Sequence, residues 1–268
     1  LFSWESWWAT QSETRPSQSL GYLDQVHAAY RALHANGLTV DVVAPGADLS
    51  AYRFVVVPGL HLMTEADAGV LTAWVAAGGT ALITFSTAIV DENDRVYTGG
   101  YAGPLREALG LHIEEFAPVA PDAALTLSDG STAQLWSERS RPTTARVEAS
   151  FTDGPAQGMP AVTRNAWGDG TAHYLATLLS DADYRDLAAR LAAEAGVAPA
   201  AHAQPGTGDL EIVRRRGEGA SYLFVINHGE TEVHVDSDGV DLVTGASVAG
   251  HVTVPAGAVR IIREEAAA

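Results

Sequence analysis

The chain has 268 residues, 47% of them hydrophobic and 18% charged, which is a globular composition and long enough for two domains that bury their own cores. Lys and Arg total 16 against 33 acids, and the net charge of −17 disfavours a nucleic-acid backbone or an anionic membrane surface as partner. The absence of cysteine excludes disulfides, thiolate metal sites and a Cys nucleophile, and fits a reducing, cytoplasmic compartment; no apolar run approaches the ~18 residues of a membrane span.

The opening Leu1-Phe2-Ser3-Trp4-Glu5-Ser6-Trp7-Trp8 has no initiator Met and no signal-like core, so it is expected to be a first strand within a longer polypeptide. After a polar loop ending at Pro16, Leu20, Leu23, Val26, Tyr30 and Leu33 recur at helical spacing, with Ser17 or Ser19 as N-cap and Asn36-Gly37 as the stop. Leu38 to Val43 alternates as a strand. Arg53 to Val57 is a continuous apolar run, as in a parallel strand buried on both faces. Thr64 and Asp67 form a capping box for a helix carrying Leu71, Trp74 and Val75; Gly78-Gly79 stops it, and Thr80 to Phe85 is the next strand. This βαβαβ rhythm predicts an open, doubly wound α/β sheet.

Pro104 to Leu109 is a short helix, and Leu111 to Phe151 a series of short strands. Ala161 to Asn165 and Thr171 to Thr177 flank the hairpin turn Gly168-Asp169-Gly170, and a helix carrying Tyr184, Leu187 and Leu191 ends at Gly196. Val197 to Gly206, rich in small residues and Pro, is the expected linker. Beyond it Leu210 to Arg216, Tyr222 to Asn227, Glu230 to Asp236, Asp241 to Thr244, His251 to Val254 and Val259 to Arg263 spell a small all-β domain, with a frayed end at Glu264 to Ala268.

The residues alone offer no complete catalytic constellation. Gly99-Gly100-Tyr101-Ala102-Gly103 is Gly-rich but matches neither dinucleotide fingerprint nor P-loop, so it is first a turn needing positive φ. Ser86 follows a strand as a nucleophile elbow would, yet the surrounding G-x-S-x-G is absent and no His can be placed beside it. Two carboxylates of the run Asp91-Glu92-Asn93-Asp94 could act as an acid–base pair or hold Ca²⁺, but Val96 stands where an EF-loop needs Gly, which favours a solvated loop. The nine His residues lack any H-x-x-x-H spacing on a helix, so no zinc site and no other cofactor is expected. Trp4, Trp7 and Trp8 are the densest aromatic cluster; such faces suit sugar rings, although core packing is the commoner use.

Longer strings carry a resemblance. Phe2-Ser3-Trp4-Glu5-Ser6-Trp7-Trp8-Ala9, Arg15-Pro16, Asp41-Val42-Val43 and Ala47-Asp48-Leu49-Ser50-Ala51-Tyr52 resemble the middle domain of family 42 glycoside hydrolases, the bacterial β-galactosidases. So do Ile89-Val90-Asp91-Glu92-Asn93-Asp94-Arg95-Val96, Gly99-Gly100-Tyr101-Ala102-Gly103-Pro104-Leu105-Arg106, Leu109-Gly110, Glu114-Glu115-Phe116, Pro160 to Asn165, Gly168-Asp169-Gly170 and Tyr174-Leu175-Ala176-Thr177. Leu223-Phe224-Val225-Ile226-Asn227-His228 belongs to the terminal domain. Ser86-Thr87-Ala88 and Ala102 depart from the family's usual Ser-Gly and Pro.

The resemblance implies a glutamine-amidotransferase-like (flavodoxin-like) α/β domain at residues 1–200, serving trimerisation, and a small antiparallel β domain at 206–268. It implies that both catalytic glutamates sit on a preceding barrel that this chain lacks, so no catalytic residue is assigned here. A homotrimer in the full enzyme, and a galactoside met through that barrel, are the implied partners. Trp4, Trp7, Trp8, Asp91, Glu92, Arg95, Tyr101 and Arg106 become candidates for the subunit interface or the substrate entrance. The competing readings are a stand-alone carbohydrate-binding module using the three tryptophans, and an amidotransferase-like hydrolase using Ser86.

Overall fold

A computed structural model describes residues 1–11, 17, 19–203, 210–217 and 219–265. Arg15-Pro16, the Gln204-Pro205-Gly206 end of the expected linker and residues 266–268 of the expected frayed end lie outside the described residues. The chain divides into two compact units, Leu1–Tyr30 with Val42–Gly196 and Arg31–Asp41 with Val197–Ala268. The first is a mixed α/β unit. In the second, every element from Leu210 onward is a strand.

The first unit is built on a five-stranded sheet in the order Phe54–Val57, Thr80–Thr84, Gly170–Leu175, Pro160–Trp167, Arg146–Ser150. The first three strands are parallel and the last two are added antiparallel. Thr80–Thr84 and Gly170–Leu175 are buried along their whole length, as strands in the middle of a covered sheet are. Between the first two strands runs the helix Glu65–Ala76. Thr64 caps it, its hydroxyl accepting from the Asp67 amide at 3.0 Å. Leu71 and Val75 face the core. The Pro160–Trp167 and Gly170–Leu175 hairpin closes with Trp167 opposite Gly170. Its tip packs so tightly on the end of that helix that a Cβ at Gly170 would stand 2.0 Å from the Val75 carbonyl oxygen. The helix Asp181–Glu194 is capped by Ser180 and buries Tyr184, Leu187 and Leu191.

Several expectations need correction. Phe2 to Trp8 is not a strand: Trp4–Ala9 is a helix, started by the Ser3 side chain, which accepts from the Ser6 amide. The aromatic spacing fits positions i, i+3 and i+4 as well as it fits alternation, and the Ser cap decides it. Leu38 to Val43 alternates in sequence but forms no ladder; the sheet edge is Phe54–Val57. The parallel core is therefore reached by the Tyr22–His34 helix and an irregular segment, not by two leading strands. That helix begins three positions beyond Ser19, so neither Ser17 nor Ser19 can cap it. In the second unit the strand expected at Asp241 to Thr244 is Gly239–Asp241 instead. The Asp241 carboxylate stops it by accepting from the Val243 amide at 2.9 Å and the Thr244 hydroxyl at 2.7 Å, which turns the chain.

The second unit carries a five-stranded antiparallel sheet, Leu210–Gly217, Ala220–Asn227, Val259–Glu265, Gly239–Asp241 and Ser247–Val248, and a two-stranded one, Val233–Asp236 with His251–Val254. Ile212, Leu223, Val225, Val235, Val254 and Ile262 make its core. No helix among the described residues is long and apolar enough to cross a membrane.

Candidate functional site

The chain leaving the carboxyl end of the parallel strand Thr80–Thr84 holds Asp91, Glu92, Arg95 and Tyr101, with Arg106 opening the short helix Arg106–Leu109, and the Trp4–Ala9 helix is tied to the first loop, which leaves the neighbouring strand Phe54–Val57. In open α/β sheets this edge is where ligands and partners meet the fold, because the chain must turn there outside the helices that cover the faces.

The tie is Ser6, which is fully buried on the side of its helix away from Trp4. Its hydroxyl donates to the Leu62 carbonyl and accepts from the Leu62 amide, both at 3.0 Å. Leu62 in turn bridges Val90 in parallel, and Val90 bridges Val96 antiparallel. One continuous path of backbone pairing thus leads from the aromatic helix to the acidic turn. On the far side of the helix Trp4 is 53% and Trp8 61% exposed, large values for indoles. Trp7 is half-buried and meets Trp4 edge-on at 5.6 Å. Phe2 supports Trp4 at 4.9 Å and stacks on Tyr22.

Asp91 organises the acidic turn. Its carboxylate accepts from the amides of Asn93 at 2.8 Å and Arg95 at 3.0 Å, and Arg95 Nε lies 3.7 Å from it. The Arg95 amide first, with the Asn93 amide and the Arg95 charge adding to it, holds the carboxyl below its ordinary value despite some desolvation. Glu92 is exposed and accepts from the Asn93 side chain. Tyr97 donates to the Met63 carbonyl at 2.8 Å; partial burial, with Glu65, Asp91, Glu92 and Asp67 nearby, pushes its hydroxyl up. Five acids therefore bring negative charge to this edge, Asp94 among them.

The Gly-rich loop is a scaffold. Arg106 donates through Nε to the Gly103 carbonyl at 2.9 Å and through Nη1 to the Gly99 carbonyl. Gly99 has φ +83°, and a Cβ there would stand 2.9 Å from that guanidinium. Tyr101 stacks on Phe116 at 3.8 Å, and Phe116 touches Trp136. Arg106 and Tyr101 are thus committed to their own loop, and among the described residues no hydrogen bond or ion pair joins Arg106 to Asp91 or Glu92. The structure brings Trp4 with Trp7 and Asp91 with Arg95, and leaves Trp8 and Glu92 projecting.

Two features lay beyond sequence reasoning. His61, in the first loop, has its Nδ1 buried without a hydrogen bond among the described residues; burial lowers its pKa and Asp94 opposes the shift. Glu138 is wholly buried, takes hydrogen bonds from Trp136 Nε1 at 3.0 Å and Tyr174 Oη at 2.7 Å, and is pushed up to about 7, chiefly by desolvation. A raised carboxyl is the mark of a general acid, but no substrate reaches this one. Ser86 does take a left-handed turn, φ +62°, directly after its strand region, yet among the described residues its hydroxyl makes no hydrogen bond to any histidine. No group of three His, Asp or Glu among the described residues could hold a metal ion. Among the described residues, the edge presents two exposed indoles and a backbone-held carboxylate.

The comparisons with known proteins agree with this geometry. A family model described as "Beta-galactosidase trimerisation domain" matches residues 1–198, and one described as "Beta-galactosidase C-terminal domain" matches 209–264. A β-galactosidase from Arthrobacter is 40% identical over 266 residues, 99% of this chain and 38% of that relative's length. The crystal structure of the β-galactosidase from Bacillus circulans sp. alkalophilus superposes with a TM-score of 0.93 at 32% identity, over 98% of this chain and 40% of that one. The β-galactosidase of the Antarctic haloarchaeon Halorubrum lacusprofundi gives 0.83 at 29% identity, over 97% and 38%. The chain therefore spans well under half the length of the relatives it matches. With both domain models matched in order along it, the chain belongs to the family 42 β-galactosidases.

Proposed function

We propose that this chain is the non-catalytic C-terminal portion of a β-galactosidase, with the α/β unit serving subunit assembly and its carboxyl edge bordering a neighbouring subunit's active-site entrance. The observation that carries this reading is the in-order match of the trimerisation and C-terminal domain models to residues 1–198 and 209–264. In the whole enzyme a preceding barrel would supply two carboxylates about 5 Å apart and hydrolyse terminal β-galactosides with retention. The amidotransferase likeness is then one of fold only, since the chain has no Cys to act as nucleophile. The domain limits, 1–200 and 206–268, and a cytoplasmic setting belong to the same proposal.

The exposed pair Trp4 and Trp8 fits it. Two indoles more than half exposed on one helix face are costly to leave in water, at roughly 25 cal/mol per Å² of apolar surface, and suit a contact completed by another chain. The same exposure keeps the second reading open to test: in a stand-alone carbohydrate-binding module these indoles would stack on a sugar.

Incubating the purified chain with a chromogenic β-galactoside tests the catalytic side. The expected result is no turnover above background. Robust turnover abolished by a substitution within these 268 residues would overturn the reading.

A further inference from the structure

The two-stranded sheet of the β unit has one face in its core and the other in water. Val233, Val235, Val252 and Val254 are buried, so the alternate residues point outward. These are His234 and Asp236 on one strand and His251 and Thr253 on the other. His234 stands directly opposite Thr253, and Asp236 directly opposite His251. His202 joins the row from the other edge. The Ala203–Val235 bridge is antiparallel and the Asp236 amide donates to the His202 carbonyl at 2.9 Å, which sets His202 opposite Asp236. Ala201 and Ala203 pack on the core, and His202 between them is exposed. Three histidines from separate stretches of sequence thus share one outward face.

Two of them touch. His234 is the diagonal neighbour of His251, with ring centroids 5.4 Å apart and ring planes at 88°. Two imidazoles on one tetrahedral zinc, with Zn–N bonds of about 2.0–2.1 Å, have centroids roughly 5 Å apart, so these rings already stand at chelating separation. The Thr253 hydroxyl lies 2.9 Å from His234 Nδ1. In the tautomer with hydrogen on Nδ1, that hydrogen is donated to Thr253 Oγ1 and Nε2 keeps its lone pair. A metal-binding imidazole is oriented by such a bond at its other nitrogen. Among the described residues the His251 ring makes no hydrogen bond, and it is exposed, while His234 keeps 34% of its side-chain surface in water. Glu232 Oε1 lies 3.8 Å from His234 Nε2, so that carboxylate and Asp236 bring negative charge to the pair.

We infer that His234 and His251 chelate a late divalent transition-metal ion such as Zn²⁺, clipping their two strands together. Imidazole nitrogen suits zinc, nickel and copper, whereas magnesium and calcium take oxygen. No group of three His, Asp or Glu among the described residues could hold the ion, so two protein ligands and water complete it, and binding is weaker than at a four-ligand structural zinc. A two-stranded ladder is marginal by itself, which gives a cross-strand clip something to stabilise. The chelating positions are diagonal across a ladder, a spacing that a search for paired histidines on one helix does not find. The inference concerns the β unit alone and holds whether or not the chain assembles.

The test is calorimetric titration of the purified chain with Zn²⁺, with Mg²⁺ as the control ion, joined to amide hydrogen exchange with and without Zn²⁺. The expected result is saturable Zn²⁺ binding that Mg²⁺ does not reproduce, with exchange slowed within residues 233–236 and 251–254. His234→Gln and His251→Gln should each weaken that binding at least about tenfold, no less than the loss of an outer-shell partner does. His228→Gln, whose ring meets Glu211 instead, should leave it unchanged. Both substituted rings stand on the outward face, so the unfolding midpoint should stay at the parent's value; should one variant fail to fold, the other carries the test. Absence of saturable Zn²⁺ binding would overturn the inference. So would equal binding of Mg²⁺, Zn²⁺ binding that both variants leave unchanged, or protection that spares both strands.

Discussion

Ser6 and Leu62 form a closed pair: one hydroxyl satisfies both the carbonyl and the amide of the same residue, at 3.0 Å each, across 56 positions of sequence. The contact fixes the tryptophan helix to the loop that bridges the acidic turn. Ser6→Ala leaves two backbone groups without their partner in a part-buried contact, at a cost of about 1–2 kcal/mol. Denaturant unfolding should show the loss as a lower midpoint, and amide exchange should quicken at Leu62 and Met63. An unchanged midpoint would mean that the helix is held by its aromatic contacts alone.

Glu138 makes stability fall as pH rises. Its folded value, about 7, lies above the ordinary 4.5, so the folded state holds a proton that the unfolded state releases. The stabilisation present below pH 4.5 is lost as pH rises to about 7, an order of 3 kcal/mol in all. Glu138→Gln keeps the shape and cannot ionise. Its carbonyl accepts from Trp136, and its amide can donate to a reoriented Tyr174 hydroxyl. The variant should be more stable than the parent above pH 7, and a pH series of unfolding curves should lose its slope across that window.

His173 acts in the opposite direction. Its ring is buried on Gly170–Leu175, facing Glu148 on Arg146–Ser150, Arg164 on Pro160–Trp167, and Glu194 and Arg190 on Asp181–Glu194. Burial lowers its pKa, while Glu194 and Glu148 oppose the shift. A depressed folded value means that the unfolded chain takes up the proton first, so stability falls as pH drops below the ordinary 6.5. His173→Gln should flatten that limb. Thermal melts at about pH 5.5 and about pH 7.5 would check it, and an undiminished difference between them would contradict it.

The sequence was most legible where one local signal agreed with a buried face. Thr64 and Asp67 marked a helix start, the Val55 to Val57 run marked a parallel strand, and Gly168-Asp169-Gly170 marked a hairpin, because each depends on neighbours close in the chain. The tryptophan helix was misread because three indoles satisfy two periods, and Ser3, its cap, was the signal that separated them. Glu138 and His173 were invisible for another reason. Glu138 sits in Trp-Ser-Glu-Arg-Ser-Arg-Pro, which looks like a solvent-facing strand, and its partner Tyr174 is 36 positions away. The acidic turn was readable as a solvated loop, but its pairing to Ser6 through Leu62 and Val90 required the fold.

Trp4→Ala with Trp8→Ala should leave the fold intact, because both indoles stand mostly in water and the buried Ser6 anchor remains. If they complete a subunit contact, the double variant should weaken association without lowering the unfolding midpoint, which sedimentation and calorimetry read separately. A drop in the midpoint with association unchanged would assign them to the core instead.

The most direct test of assembly is multi-angle light scattering of the purified chain over a range of protein concentrations, at low and at high salt. Each copy carries a net charge of −17, screened within about 8 Å at physiological ionic strength, so self-repulsion opposes association most at low salt. The expected result is a mass rising toward three copies with concentration, more readily at high salt, and reduced by substitutions between Asp91 and Arg106. A strict monomer at high concentration in both salts would contradict the assignment of assembly to this portion of the enzyme.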